Sequence, residues 1–170
     1  MRSKAFLLIL SMLISFSALC QTDKLYLHNG TVIDGTVYEV GDFIVTYSYV
    51  GEKTKQTISK YAVEKIIHSG SNREEKITDK ILVNSRDDWE KVIILDDKTE
   101  ITGLTRVDEV ASSGGGKFVG ANSAQEKSLE RIKKQAAELK CPFVYLANSN
   151  THSMGIISTR MTKNGVAYKY

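Results

Sequence analysis

The sequence predicts an α+β chain in two units, a small five-stranded β-barrel followed by an α+β domain with one helix packed on an antiparallel sheet. Three observations carry that expectation. From Asp23 to His68 the chain breaks into short runs of β-branched and aromatic residues separated by turn residues. A polar, charged stretch then interrupts the apolar pattern. Beyond it, only residues 124–140 repeat their apolar side chains at helical spacing.

The elements follow in chain order. Residues 1–20, MRSKAFLLILSMLISFSALC, place two cations before an apolar run and end on small residues, the order of a secretory signal. The run is too short for a spanning helix. Ala18 and Cys20 suit cleavage after Cys20, leaving Gln21 first. The rival reading makes Cys20 a lipid anchor, against which stands the bulky Leu19 before it. Either way the expected location is the periplasm or the outer membrane, with membrane contact only if Cys20 is lipidated.

Residues 21–68 form the first unit. KLYLH meets the Asn29-Gly30 turn, TVIDGTVYEV meets Gly41-Asp42, FIVTYSYV meets GEKT, and KQTIS and AVEKIIH close the set. Gly35 inside the second strand marks a sharp bend. Residues 69–80, with Ile77 as their interior apolar residue, read as a linker. The second unit, residues 81–170, reads as ββαβββ: WEKVIIL, a DDKT turn, EITGLTRVDEV, a mobile loop ASSGGGKFVGANS, the helix, and the strands FVYLANS, MGIISTRM and GVAYKY around the turns NTHS and TKNG. Ser123 and Glu126 form a capping-box pair, and Leu129, Ile132, Ala136 and Leu139 share one stripe. Glu130 and Lys134 are an i,i+4 pair, Lys140 suits the helix dipole, and Pro142 ends the helix.

The first unit resembles the Sm-like branch of the small SH3-like barrels over about a third of the processed chain. The likeness rests on Asn29-Gly30, Gly35, Val37, Val40 and the strand from Phe43, and on the apolar frame Ile58, Val63 and Ile66. Such barrels clamp a base between an Asp/Asn-bearing loop and an Arg-Gly pair. Here Gly41 and Val45 stand at the first pair of positions and Ser59 and Lys60 at the second, so the amide donor and the guanidinium platform are absent. The resemblance therefore implies the frame without base readout. The second unit is loosely similar to small envelope proteins of Gram-negative bacteria, among them the sensor lipoprotein of the Rcs stress pathway and a family described as heavy-metal-binding. It shares LERIKKQAAELKCPFVYLAN and the closing NGVAYKY, with Cys141-Pro142 in place of their turn. The two-part layout is similar to exported proteins of Bacteroidota-type bacteria.

Charge and chemistry narrow the function. The formal charge of +3 loses the two cations Arg2 and Lys4 with the signal, leaving +1, too weak a field for nucleic acid. Cys141 is then the only thiol, which excludes an intrachain disulfide. His28, His68 and His152 do not converge on a metal, since antiparallel pairing of the first and last barrel strands puts His28 and His68 on the order of 15 Å apart. A thiol after a helix C-terminus is disfavoured as thiolate, so Cys141 reads as a small buried residue. SSGGGKF fails the phosphate-loop spacing, with Ala111 and Phe118 at the required Gly and Ser/Thr positions. The pairs Asp87-Asp88 and Asp96-Asp97 read as turn residues.

No catalytic, cofactor or metal residues are assigned. The expected activity is non-enzymatic: an exported binding, scaffold or sensor protein whose partner is an envelope protein or a second copy, with no cofactor and no nucleic acid. Alternatives are a small-ligand or metal-binding module in the second unit and a hydrolase using Cys141 or His152. Tyr26, Tyr38, Tyr47, Tyr49 and Tyr61 all lie in the barrel unit, where packing is their expected role and an interface the alternative. If the face that Tyr47 and Tyr49 share with Phe43 and Val45 is exposed, Phe43, Tyr47 and Tyr49 are the candidate interface, together with Lys117 and Phe118 at the glycine loop.

Overall fold

The computed structural model describes residues 22–117, 121–153 and 158–170. The expected signal peptide, including Cys20, and Phe118 lie outside the described residues.

Among the described residues the fold is α+β, two open sheets and one α-helix. Strands β1 (Asp23–Leu27), β2 (Val32–Val40), β3 (Ile44–Tyr49), β4 (Gln56–Ser59), β5 (Val63–His68) and β6 (Arg73–Lys76) form a six-stranded antiparallel sheet in the order β4-β3-β2-β1-β5-β6. The five barrel strands are present, but β4 and β6 are free ends of the order and no closed barrel forms. The sixth strand comes from the stretch expected to be a linker. Its sequence, REEK, carries no apolar signal, and it is drawn in because β5 offers an open backbone edge. The same stretch is pinned at Thr78, whose hydroxyl donates to the Val63 carbonyl at 2.7 Å.

The inner face of this sheet gathers Leu25, Leu27, Ile33, Val45, Tyr47, Ile58, Ala62, Val63 and Ile66, with Val37, Val40, Ile77 and Leu104 packed against them. Alternation along β1, β2 and β3 supplies Leu25, Leu27, Ile33, Val45 and Tyr47, while Ala62 comes from a 3-10 turn and Val63 and Ile66 meet across a register shift between β1 and β5. Strand β2 continues through Gly35, the position of the expected bend, and its register with β3 breaks between Val37 and Glu39. A Cβ there would lie 2.1 Å from the Ser48 carbonyl oxygen, so the glycine serves the close approach of β2 and β3. Asp23 ties the first strand down: it accepts the N–H groups of Val37 (3.0 Å) and Ser69 (2.9 Å) and the Ser69 hydroxyl (3.2 Å).

The second sheet has the order β7-β9-β10-β8, from β7 (Ile93–Leu95), β8 (Thr105–Lys117), β9 (Phe143–Ser153) and β10 (Ser158–Lys169). Several expectations change here. The first two strands do not pair as a hairpin: β7 and β8 occupy opposite edges, and β7 runs parallel to β9, so the sheet is mixed rather than antiparallel. Trp89 sits in a 3-10 turn, Arg86–Lys91, ahead of a shortened β7. The glycine run is no loop through Lys117: β8 carries it, paired with β10. Two long strands replace the three expected after the helix, and the TKNG turn is absorbed into β10, leaving a register shift between Asn164 and Gly165.

Helix α1 spans Ala121–Glu138, so Ser123 lies within its first turn and is not its cap. Ala124, Ser128, Ile132, Ala136 and Ala137 are buried, whereas Leu139, placed on the stripe by spacing, is exposed. The helix ends before Leu139 can join the stripe. Lys140 adopts φ 56° and donates to the Ala137 carbonyl at 3.0 Å, and Cys141 N–H reaches Ala136 at 2.9 Å, the paired bonds of a Schellman stop.

Residues on opposite faces of β9 are both enclosed. Val144 joins Val83, Val92, Val110, Ile132, Ala136, Ala137, Cys141 and Ala167 beneath the helix. Phe143 joins Leu95 and Tyr168 on the other face, where Tyr61 of the first unit and Ile81, Ile101, Leu104 and Tyr170 pack against them. Both Phe143 and Val144 are fully buried. The second sheet therefore lies between α1 and the first unit. Gly103, at φ 86°, completes the seam, since a Cβ there would lie 2.6 Å from Ile58.

Candidate functional site

Two surface depressions lie where the sheets meet, and each holds a side chain that the sequence singled out. The first is built around Phe43, which precedes β3 and is held by its own carbonyl accepting Lys60 N–H at 2.8 Å. Phe43 is 56% exposed, an uncommon state for so apolar a ring. Tyr61, Ile94, Asp96, Asp97, Thr99 and Glu100 complete a groove of about 310 Å³. Its apolar floor belongs to both units. Tyr61 stacks at a tilt on Phe143, centroids 5.4 Å apart, and burial pushes its hydroxyl above the usual tyrosine range, with the Glu100 charge adding to the effect.

The acidic wall is a capped 3-10 turn, Lys98–Ile101. Asp97 accepts Thr99 N–H (2.7 Å) and hydroxyl (2.8 Å), while Glu100 reaches back to the N–H groups of Asp96 and Asp97, both at 3.1 Å. The two bonds from Thr99, its N–H first, hold the Asp97 carboxyl below the usual range. The adjacent aspartates are thus turn residues, as their spacing suggested, and they give the groove a fixed negative rim.

Of the other candidate interface residues, Tyr47 is a correction. It is 5% exposed and packs in the core with Val45, because register puts this face inward against Val37 and Val40. Burial, together with its hydroxyl bond to Tyr49 at 3.2 Å, raises its ionisation well above the ordinary value. Tyr49 has the same parity but lies at the strand end and is 43% exposed. Lys117 ends β8 opposite Ser158, and Phe118 is outside the described residues.

The second depression, about 510 Å³, has His28 at its base and Glu64, Lys65, Glu74, Lys76, Thr78, Asp79 and Lys80 around it. Thr78 spends its hydroxyl proton on Val63, so His28 Nε2, 3.0 Å from Thr78 Oγ1, is the donor and carries the ring proton. The edge of the imidazole meets Tyr170 at 4.8 Å between centroids. Lys80 donates to the His28 carbonyl at 2.8 Å and lies over the Tyr170 ring, whose hydroxyl accepts Ile81 N–H at 2.9 Å. Burial lowers the His28 pKa, Glu64 and Asp79 oppose that, and Lys80 reinforces it. The ring is thus held neutral as a seam between the units. Contacts between His28 and Tyr170 had no sequence signal, since the residues come from distant parts of the chain.

His68 lies at the other end of β5, bonded to Glu75 at 2.8 Å. No group of three or more His, Cys, Asp and Glu side chains converges among the described residues. Cys141 is fully buried under the helix, and burial raises its thiol pKa while Lys169 pulls weakly the other way. The side chain of His152 is outside the described set. At the positions where base-reading barrels carry their contacts, Val45 is core, Ser59 is fully buried with its N–H on Thr102 at 2.8 Å, and Lys60 opens a 3-10 turn. No described helix is long and apolar enough to cross a membrane. No protein-family model, curated protein or solved structure matches the chain.

Proposed function

We propose that the chain is an exported, non-enzymatic binding protein of the bacterial envelope, which holds a segment of a partner protein in the groove between its two sheets. The supporting observation is Phe43, more than half exposed beside Tyr61 and Ile94 and faced by Asp96, Asp97 and Glu100. An apolar floor with a fixed acidic rim fits a polypeptide that offers one apolar side chain flanked by Lys or Arg, the anchor-and-rim pattern of protein interfaces. Free strand edges suit a partner less well: β4 and β7 are short, β6 is charged, and the N–H of Ala111 on β8 is taken by Gln135 at 3.2 Å.

The first unit belongs, in this reading, to the SH3-like frame, opened and extended by β6. Support comes from β1 pairing with both β2 and β5, which brings the first and last of the five barrel strands together, and from the 3-10 turn Lys60–Ala62 that joins β4 to β5. Export rests on the order of residues in the first twenty positions.

The experiment is cross-linking of the tagged chain in its native envelope followed by mass spectrometry, with Phe43→Ala and Asp96→Asn/Asp97→Asn alongside. A discrete partner captured by the native chain and lost in both variants is the expected result. Equal capture by the Phe43→Ala chain, or purified protein that turns over a substrate, would overturn the assignment.

A further inference from the structure

A third depression, away from both grooves above, lies where α1 covers the outer edge of β8. It encloses about 330 Å³ between Arg86, Ser112, Arg131, Lys134, Gln135 and Glu138, with Ala111 and Ser113 completing the wall. Three cations meet one carboxylate there. Two are committed in part: Arg86 to Glu138 at 3.2 Å, and Lys134 to Glu130, with its ammonium over the Trp89 ring. Arg131 has no carboxylate partner among the described residues. One of its guanidinium nitrogens donates to the Ser113 carbonyl, and the remaining N–H groups are available to a ligand.

Two polar groups point to what is missing. Ser112 is 8% exposed, and its hydroxyl oxygen is buried with no hydrogen-bond partner among the described residues. Buried hydroxyls ordinarily find one, and an orphan beside a cationic groove is explained by a ligand. Gln135 spends its carbonyl oxygen on the Ala111 N–H, and its amide NH2 finds no acceptor among the described residues. Guanidinium, hydroxyl and amide donors around a small concave space, with the charge balance positive, match a tetrahedral oxyanion.

We infer that this groove binds a phosphate-type oxyanion, held by Arg131 and Arg86 with Ser112 and Gln135 as neutral donors. Glu138 competes with that anion for Arg86, which gives the site a built-in counter-charge that ligand must displace. The oxyanion could be free phosphate or the headgroup of an anionic lipid, and the same donors serve either.

The test uses the purified full chain with inorganic phosphate as probe, followed by NMR of arginine side-chain N–H signals and by calorimetry. Expected are saturable one-to-one binding at millimolar phosphate, weakening of about tenfold in Arg131→Gln, a smaller loss in Ser112→Ala, and tightening of about threefold in Glu138→Gln. The last variant moves affinity in a direction that structural damage cannot mimic. Should Arg131→Gln fail to fold, Arg86→Gln, which breaks only a surface ion pair, replaces it. Sedimentation with phosphatidylglycerol vesicles, again compared with the arginine variant, separates the sources: arginine-dependent vesicle binding assigns a lipid headgroup, and phosphate binding without it assigns the free ion. Absence of both, or equal phosphate affinity in native, Arg131→Gln and Glu138→Gln chains, overturns the inference.

Discussion

Replacing Lys140 by glycine should stabilise the fold, although the change deletes a whole side chain. Lys140 closes α1 at φ 56°, with its N–H on Ala137 and the next N–H on Ala136. That left-handed conformation crowds the Cβ of an L-residue at a cost of about 1–2 kcal/mol. Glycine removes the crowding, and its greater freedom in the unfolded chain takes back about 0.5–1 kcal/mol. The lysine makes no ion pair among the described residues, and its contribution to the helix dipole is about 0.3 kcal/mol at an exposed site. A net gain of about 0.2–0.7 kcal/mol remains, corresponding to a rise in Tm of about 0.5–3 °C for a chain of this size. Urea denaturation followed by circular dichroism measures it as a higher midpoint at unchanged slope. Lys140→Ala is the control, because it keeps the Cβ and should gain nothing. If the glycine variant matched or fell below the native midpoint, or alanine matched glycine, the Schellman geometry would not be the determinant of this helix end.

Other consequences are open to direct measurement. Gly35→Ala should destabilise by about 2–3 kcal/mol, since the new methyl meets a backbone carbonyl at 2.1 Å that cannot rotate away; the urea midpoint reports it. His28 has a lowered folded-state pKa, so the unfolded chain takes up the proton first, and stability is complete above about pH 6.5 and falls as pH drops from there toward the folded value. His28→Gln should flatten that part of the stability profile, and a slope that persists would exclude the imidazole as its source. Asp23 acts in a lower window: its carboxyl is held down, against burial, by the N–H groups of Val37 and Ser69, so its contribution is present above about pH 3.8 and lost as pH falls through the folded value, and Asp23→Asn should remove that acid limb. Cys141, fully buried with a raised thiol pKa, should resist iodoacetamide in the native chain and react promptly in urea, as mass spectrometry would show.

What could be read from residue order alone was what local chemistry dictates. The strands β1 to β5, the turn at Asn29-Gly30, the aspartate turns and the inert setting of Cys141 follow from alternation, turn propensity and helix polarity. Misread segments are those whose conformation is imposed by neighbours. Arg73–Lys76 is a strand because β5 pairs with it, Thr162–Gly165 stays extended because β8 and β9 grip both its sides, and the glycines of β8 are held by β10. Among the interface candidates, parity was right, and Tyr47 took the packing role expected of the barrel tyrosines rather than the interface one. Val45, Tyr47 and Tyr49 share a face, but that face is the core, and which side of a strand meets water depends on pairing that distant residues decide. Phe43 escaped burial by standing just outside β3. The walls opposite it, Ile94 and Glu100, come from the second unit, so the groove had no contiguous trace in the sequence.

The double enclosure of β9 has a mechanical consequence. With Phe143 committed to one layer and Val144 to the other, neither layer can peel off without exposing the strand they share. Unfolding should therefore be a single concerted event, and amides along Phe143–Tyr145 should be the slowest in the molecule to exchange with solvent. In the binding role proposed above, the two walls of the groove would keep a fixed separation until the entire chain gives way.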